Sequence, residues 1–231
     1  MFFVLRKKII IVFVCLLIVA TGIGVYYGVK SVVARPNLAP IVVIDAGHGG
    51  IDGGSVGKVT GVCERDLNLT YAKNLANQLK QMNISYAMTR MDGNGLYDNN
   101  AKNLKRSDMS VRKSIIEKYR PTIVVSIHMN SYTLSSARGA QVFYKKGNKE
   151  GKKLAESVQN QFSSNLEHAK KICKVGDYYI VNCTDIPSVL VECGYLSNSE
   201  EELLLQDEKY QNKVCYSILC GIVSYLNLCA F

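Results

Sequence analysis

Two aliphatic, β-branched runs in this chain each stop at a histidine, and a third stops at a glutamate. The first is Ile41-Val-Val-Ile-Asp-Ala-Gly-His48-Gly-Gly, the second Ile123-Val-Val-Ser-Ile-His128-Met-Asn130, and the third Ser188-Val-Leu-Val-Glu192-Cys-Gly. Continuous apolar runs of this length predict strands buried on both faces, as in a parallel sheet covered by helices. The 231 residues include only three histidines, so placing two of them at strand ends constrains chemistry as well as fold. In open α/β sheets ligands bind outside the carboxyl ends of the strands. Three such ends carrying imidazole and carboxylate at one edge suggest a zinc hydrolase.

Between these runs the pattern switches period. Leu67, Tyr71, Leu75, Leu79 and Met82 recur mostly every four residues after Glu64, which predicts a helix with one apolar face. Ile84–Thr89 reads as a second strand, 92–103 as a Gly/Asn-rich loop, and Val111–Tyr119 as a short helix ending before Pro121. Ala140–Tyr144 reads as a strand, and Leu154, Val158, Phe162 and Leu166 mark a helix. Tyr178–Asn182 and Val189–Val191 read as further strands, Ser197-Asn-Ser-Glu200 as a capping box, and Cys215, Leu219, Ile222 and Leu226 as the last helix. The expected fold is a single α/β domain with a largely parallel, twisted sheet flanked by helices.

An N-terminal transmembrane segment is expected ahead of that domain. Residues 9–28 contain no charge and follow Arg6, Lys7 and Lys8. As a helix rising ~1.5 Å per residue they would span about 30 Å, enough for a bilayer core. The basic flank keeps the N-terminus in the cytoplasm and exports the rest. A cleaved signal peptide is the rival reading, but Val32-Val33-Ala34 is a poor match to a cleavage site. The expected organisation is residues 1–30 as cytoplasmic tip and anchor, 31–40 as linker, and 41–231 as catalytic domain.

The formal net charge is +9, of which the exported part keeps +5. That suits an anionic wall or membrane surface, and no Lys/Arg stripe with interleaved aromatics points to nucleic acid. Of eight cysteines, none forms a C-x-x-C pair. A structural zinc knuckle and a complete disulfide framework are therefore not expected.

Two histidines need a carboxylate to complete a hydrolytic zinc set. Glu64, in the first turn of its helix, can point back towards His48; Asp45 and Asp52 compete. Asp45, inside its strand, reads better as a group orienting an imidazole, and Asp52 as part of the loop turn. Glu192 ends a very apolar strand, so desolvation would raise its pKa and suit it to carry protons. Arg112 and Lys174 could pair with Glu192 or bind substrate carboxylates. His168, in the polar stretch Asn165-Leu-Glu-His168-Ala-Lys-Lys, reads as a solvated surface residue.

These residues resemble a known family. Val43-Ile-Asp-Ala-Gly-His48-Gly-Gly, then Glu64 with Asn68, then Ser126-Ile-His128-Met-Asn130-Ser, then Pro187-Ser-Val-Leu-Val-Glu192-Cys-Gly-Tyr-Leu-Ser-Asn198 are similar to the ordered motifs of the zinc-dependent N-acetylmuramoyl-L-alanine amidases, the type 3 amidases of bacterial cell walls. The resemblance covers residues 41 to about 228. It implies one zinc ion on His48, Glu64 and His128, a catalytic Glu192, and hydrolysis of the amide between N-acetylmuramic acid and L-alanine in peptidoglycan. Arg112, Asn130 and Lys174 become the candidates for substrate contacts, although Lys171-Ile-Cys-Lys174 departs from the Arg-Gly-Val-Lys stretch of the family. The subgroup resembled most is the short, membrane-targeted amidases acting on spore cortex. Unregulated hydrolysis would damage the wall, so an activating lipoprotein or other membrane-side partner is also considered. Two other readings stay open: a zinc peptidase cutting within the peptide stem, and a non-catalytic wall-binding protein on the same fold.

Overall fold

The structure, a computed structural model, describes residues 15–19, 21–22 and 42–226. The chain divides into two units, 1–38 and 39–231. In the first, residues 15–19 and 21–22 are helical, and Thr21 Oγ1 donates to Leu17 O at 2.9 Å. The rest of the expected membrane segment and the whole of the linker at 31–40 lie outside the described residues. Among the described residues no helix is long and apolar enough to cross a membrane.

The second unit is an α/β domain built on six strands: β1 (Val42–Ala46), β2 (Tyr86–Met88), β3 (Ile123–Asn130), β4 (Gln141–Tyr144), β5 (Lys174–Val175) and β6 (Ser188–Tyr195). Their order is β2-β1-β3-β6-β4-β5. All neighbours run parallel except β4 and β6. The helices are α1 (Glu64–Gln81), α2 (Leu104–Tyr119), α3 (Lys149–Asn165), α4 (Tyr179–Asn182), α5 (Ser199–Leu204) and α6 (Glu208–Tyr225).

The two faces of the sheet bury different amounts of apolar surface, and that difference opens the site. Val42, Ile44, Val125, Ile127, Val189 and Val191 belong to the larger core, together with Leu67, Tyr71 and Leu75 of α1, Leu154 and Phe162 of α3, and Ile218 of α6. The alternate residues Val43, Val124 and Leu190 belong to a smaller cluster with Ile116 of α2 and Ile180 and Val181 of α4, edged by partly buried residues such as Tyr119 and Phe143. Side chains alternate along a strand, so two residues further on this thinner face presents Asp45, Ser126 and Glu192. His128 follows on the same face, with its Cα paired to Glu192 across β3 and β6. Apolar packing ends there and polar chemistry begins.

Three sequence expectations need correction. Tyr178–Asn182 is not a strand: Tyr179–Asn182 forms the single turn α4, because burying Ile180 and Val181 against α2 outweighs their β preference. Helix α2 begins at Leu104, seven residues before Val111. Its first turn holds no acidic residue, and its start signal is Asn103, read with the Gly/Asn-rich loop, which caps it by accepting from Arg106 N at 2.9 Å. The cap before α5 is Asn198, which accepts from Glu200 N and Glu201 N at 3.1 and 3.0 Å. Ser197 instead accepts from Tyr132 N at 2.9 Å. The two-residue strand β5 carried no periodic signal. The described cysteines are all free.

Candidate metal centre and cleft

His48, Glu64 and His128 meet at the carboxyl ends of β1 and β3. Each offers one ligand atom, and these atoms lie within 4.8 Å of one another. His48 Nε2 is 3.1 Å and His128 Nδ1 2.9 Å from the same oxygen, Glu64 Oε1. Glu64 reaches this point because the loop after β1 folds back: Ser55 N donates to Glu64 Oε2 at 2.8 Å, and Glu64 N to Ser55 O at 2.8 Å. Close approach explains two glycines. A Cβ on Gly47 would overlap the His128 ring, and one on Gly54, at φ 66°, would overlap Glu64.

The donor set, two imidazole nitrogens converging on one carboxylate oxygen, fits a divalent cation. His48 Nδ1 lies 2.9 Å from Asp52 Oδ1, so the ring donates N–H to Asp52, which fixes its orientation and presents Nε2 to Glu64. Burial alone would raise Glu64, yet the two histidines outweigh it and hold the carboxyl far below its usual range. Two imidazoles and one carboxylate are a known hydrolytic zinc set, with ligand bonds of about 2.0–2.2 Å. The acid that orients the imidazole is thus Asp52 and not Asp45, and Asp52 also serves the loop turn, as expected, by accepting from Gly54 N at 3.1 Å. Asp45 instead accepts from Thr89, Ser126 and Arg112, and Arg112 and Ser126 hold it at about 2 against the opposing effect of burial.

Glu192 stands beside this set. Only 6% exposed, it leaves Oε2 without a hydrogen-bond partner. Burial, reinforced by the charge of Glu64 and opposed by His128 and His48, pushes it up to about 7. All four residues line one cleft of about 710 Å³, walled on the far side by Tyr178 and Tyr179.

Arg112 borders the cleft, but its side chain is buried and held by protein groups. It is 0% exposed, and its guanidinium is committed to Asp108 (2.5 Å), Asp45 (2.6 Å), Ala46 O (2.8 Å) and His48 O (2.6 Å). The last bond matters because His48 holds a left-handed φ of 61°, a conformation that needs outside support. Arg90, which the sequence reading missed, supports the same turn by donating to Ala46 O and Gly47 O, both at 2.9 Å. Asn130 lines the cleft, whereas Lys174 lies exposed on β5 and does not. His168 is exposed, as expected. Arg112→Ala removes one partner of a buried ion pair, so a loss of about 3–5 kcal/mol is expected in denaturant unfolding. A loss under about 1 kcal/mol would contradict this role.

Comparison with known proteins agrees with this geometry. Residues 42–224 match the family model described as N-acetylmuramoyl-L-alanine amidase. The germination-specific N-acetylmuramoyl-L-alanine amidase of Bacillus subtilis is 33% identical over 194 residues, covering 82% of this chain and 81% of that protein. The CwlD amidase of Clostridioides difficile, solved in complex with the GerS lipoprotein, superimposes with a TM-score of 0.77 at 34% identity, covering 81% of this chain and 98% of that one. The catalytic domain of the amidase CwlV from Bacillus (Paenibacillus) polymyxa var. colistinus gives a TM-score of 0.73 at 32% identity, covering 82% and 99%. With a match that runs through both histidine loops to the last helix, the chain belongs to the N-acetylmuramoyl-L-alanine amidase family, enzymes that hydrolyse the amide between N-acetylmuramic acid and L-alanine in peptidoglycan.

Proposed function

We propose that His48, Glu64 and His128 hold one zinc ion and that Glu192 carries the proton of the hydrolysis. The observation that carries this reading is the convergence of two ring nitrogens on a single carboxylate oxygen, beside a second, unpartnered carboxyl group. A divalent ion bound there supplies a Lewis acid for the amide oxygen and lowers the pKa of water. Glu192 takes a proton from the attacking water. As the C–N bond breaks, the same carboxyl returns a proton to the leaving L-alanine nitrogen. Asp52 fixes the His48 tautomer, and Arg112 and Arg90 hold the backbone that carries His48. Asn130, on the cleft wall, contacts substrate.

Residues 1–30 serve as cytoplasmic tip and membrane anchor, 31–40 as linker and 41–231 as catalytic domain, with the enzyme acting outside the cytoplasm. The uncharged run at 9–28 behind Arg6, Lys7 and Lys8 supports this. The substrate in the cell is spore-cortex peptidoglycan, and the activator is a lipoprotein. The germination-specific relative supports the first, and the CwlD complex with a lipoprotein supports the second. Mass spectrometry of peptidoglycan digested by the zinc-supplemented protein tests the reaction. Whole stem peptides with a free L-alanine amino end are expected. Cuts inside the stem would instead mark a peptidase, and binding without cleavage a wall-binding protein.

A further inference from the structure

With Arg112 fully buried, Lys105 is the one exposed cation among the described residues lining the cleft. It also borders a second, smaller cavity of about 190 Å³ between the loop after β1 and the start of α2. The two cavities share Asp52, Lys105 and Met109; Ile51 and Leu104 give the smaller one an apolar wall, and its other carboxylate, Asp108, is taken up by Arg112 and Leu96 N. Clefts for drug-sized ligands run to roughly 300–1,000 Å³, so this side cavity suits about one amino-acid residue. It begins one side chain from the metal centre, because Asp52 bonds His48 Nδ1 at 2.9 Å.

Helix stability gives no reason for Lys105. It lies in the first turn of α2, which holds no acidic residue, and a cation there opposes the helix dipole. Among the described residues none forms an ion pair with it; its charge acts on Asp52. A basic side chain set against its own helix at the mouth of a reaction cleft is the kind of local conflict that marks a functional position.

We propose that Lys105 and the side cavity form a subsite for the acidic second residue of the stem peptide and bind its free carboxylate. The proposal rests on the cleft being the amidase site. The residue after L-alanine is an acidic amino acid joined onward through its side chain, which leaves its α-carboxylate unblocked. That group lies roughly 7 Å along an extended chain from the scissile nitrogen, at ~3.3–3.6 Å per residue. The apolar wall takes the methylenes and Lys105 the charge. Where the wall is amidated at this position the same residue presents a neutral carboxamide, which Lys105 discriminates against.

The test compares kcat/KM for two muropeptides that differ only in whether the second residue carries a carboxylate or a carboxamide. The unchanged protein is expected to favour the carboxylate by about 5–10-fold, mostly through KM, as a partly exposed charged hydrogen bond would give. In Lys105→Ala that ratio falls to about one, in Lys105→Glu it inverts, and in Lys105→Arg it persists. A ratio that stays the same in the unchanged protein and in Lys105→Ala and Lys105→Glu would overturn the subsite while leaving the amidase reading intact. If the unchanged protein cleaved neither muropeptide, the assignment of the cleft would fall, and the subsite with it.

Discussion

Glu192→Gln is expected to abolish peptidoglycan hydrolysis, by at least about 10²–10⁴-fold in kcat, in a protein that keeps its full complement of metal. The range is what a positioned acid–base group contributes. The substitution is isosteric, and Glu192 makes no ion pair that folding would miss among the described residues, so stability should change little. Only the capacity to accept and return a proton is lost. In the ion-free protein, burial together with the Glu64 charge sets this carboxyl at about 7. A bound divalent ion pulls it lower, because the nearby positive charge favours the ionised form. The general base must be ionised, so kcat/KM of the unchanged enzyme is expected to fall as pH drops, with an acid-limb midpoint at or below about 7. Unaltered turnover in Glu192→Gln, read from released L-alanine amino groups, would reject the assigned role.

Glu64→Ala is the second large effect, and it acts on the metal and not the proton. One oxygen of Glu64 faces both histidine nitrogens and accepts from Met129 N at 3.2 Å; the other accepts from Ser55 N at 2.8 Å. Alanine therefore removes a ligand and also frees the loop that sets His48 against His128. Outer-shell partners of metal-bound histidines are worth about 10–100-fold in affinity, the loss expected for Asp52→Ala. Glu64→Ala should exceed that range, and zinc titration of the two variants gives the order. If Asp52→Ala weakened binding more than Glu64→Ala, the assignment of ligand and orienting acid would be reversed.

The parts of this molecule legible in its sequence are those fixed by burial. β1, β3 and β6 are continuous apolar runs because helices cover both faces, and no other element gives that pattern in four to eight residues. The site was legible for a related reason: strand ends in a parallel sheet converge, so His48, His128 and Glu192 could be placed together before any coordinates. Placing Glu64 also needed only the start of a helix. What the sequence hid was set by tertiary geometry. Asp52 and not Asp45 orients the imidazole because a strand residue two positions before Gly47 points to Ser126 and Arg112, while the turn after His48, which Asp52 also supports, brings Asp52 back to the ring. Arg112 read as a partner of Glu192 or of a substrate because only Asp108, four residues earlier, is local; its other acceptors, Asp45, Ala46 O and His48 O, come from β1 and the turn after it. Arg90 gave no signal, since its partners are backbone carbonyls. The start of α2 was missed because its cap, Asn103, reads with the Gly/Asn-rich loop and no acid stands in its first turn, where Lys105 stands instead.

Metal analysis of the purified protein and its variants reaches the central claim most directly. One zinc per chain is expected in the unchanged protein and in Glu192→Gln, with loss of stoichiometric zinc in His48→Ala, Glu64→Ala and His128→Ala. Full retention of the ion by any of those three, or undiminished hydrolysis by unchanged protein stripped of metal, would contradict it.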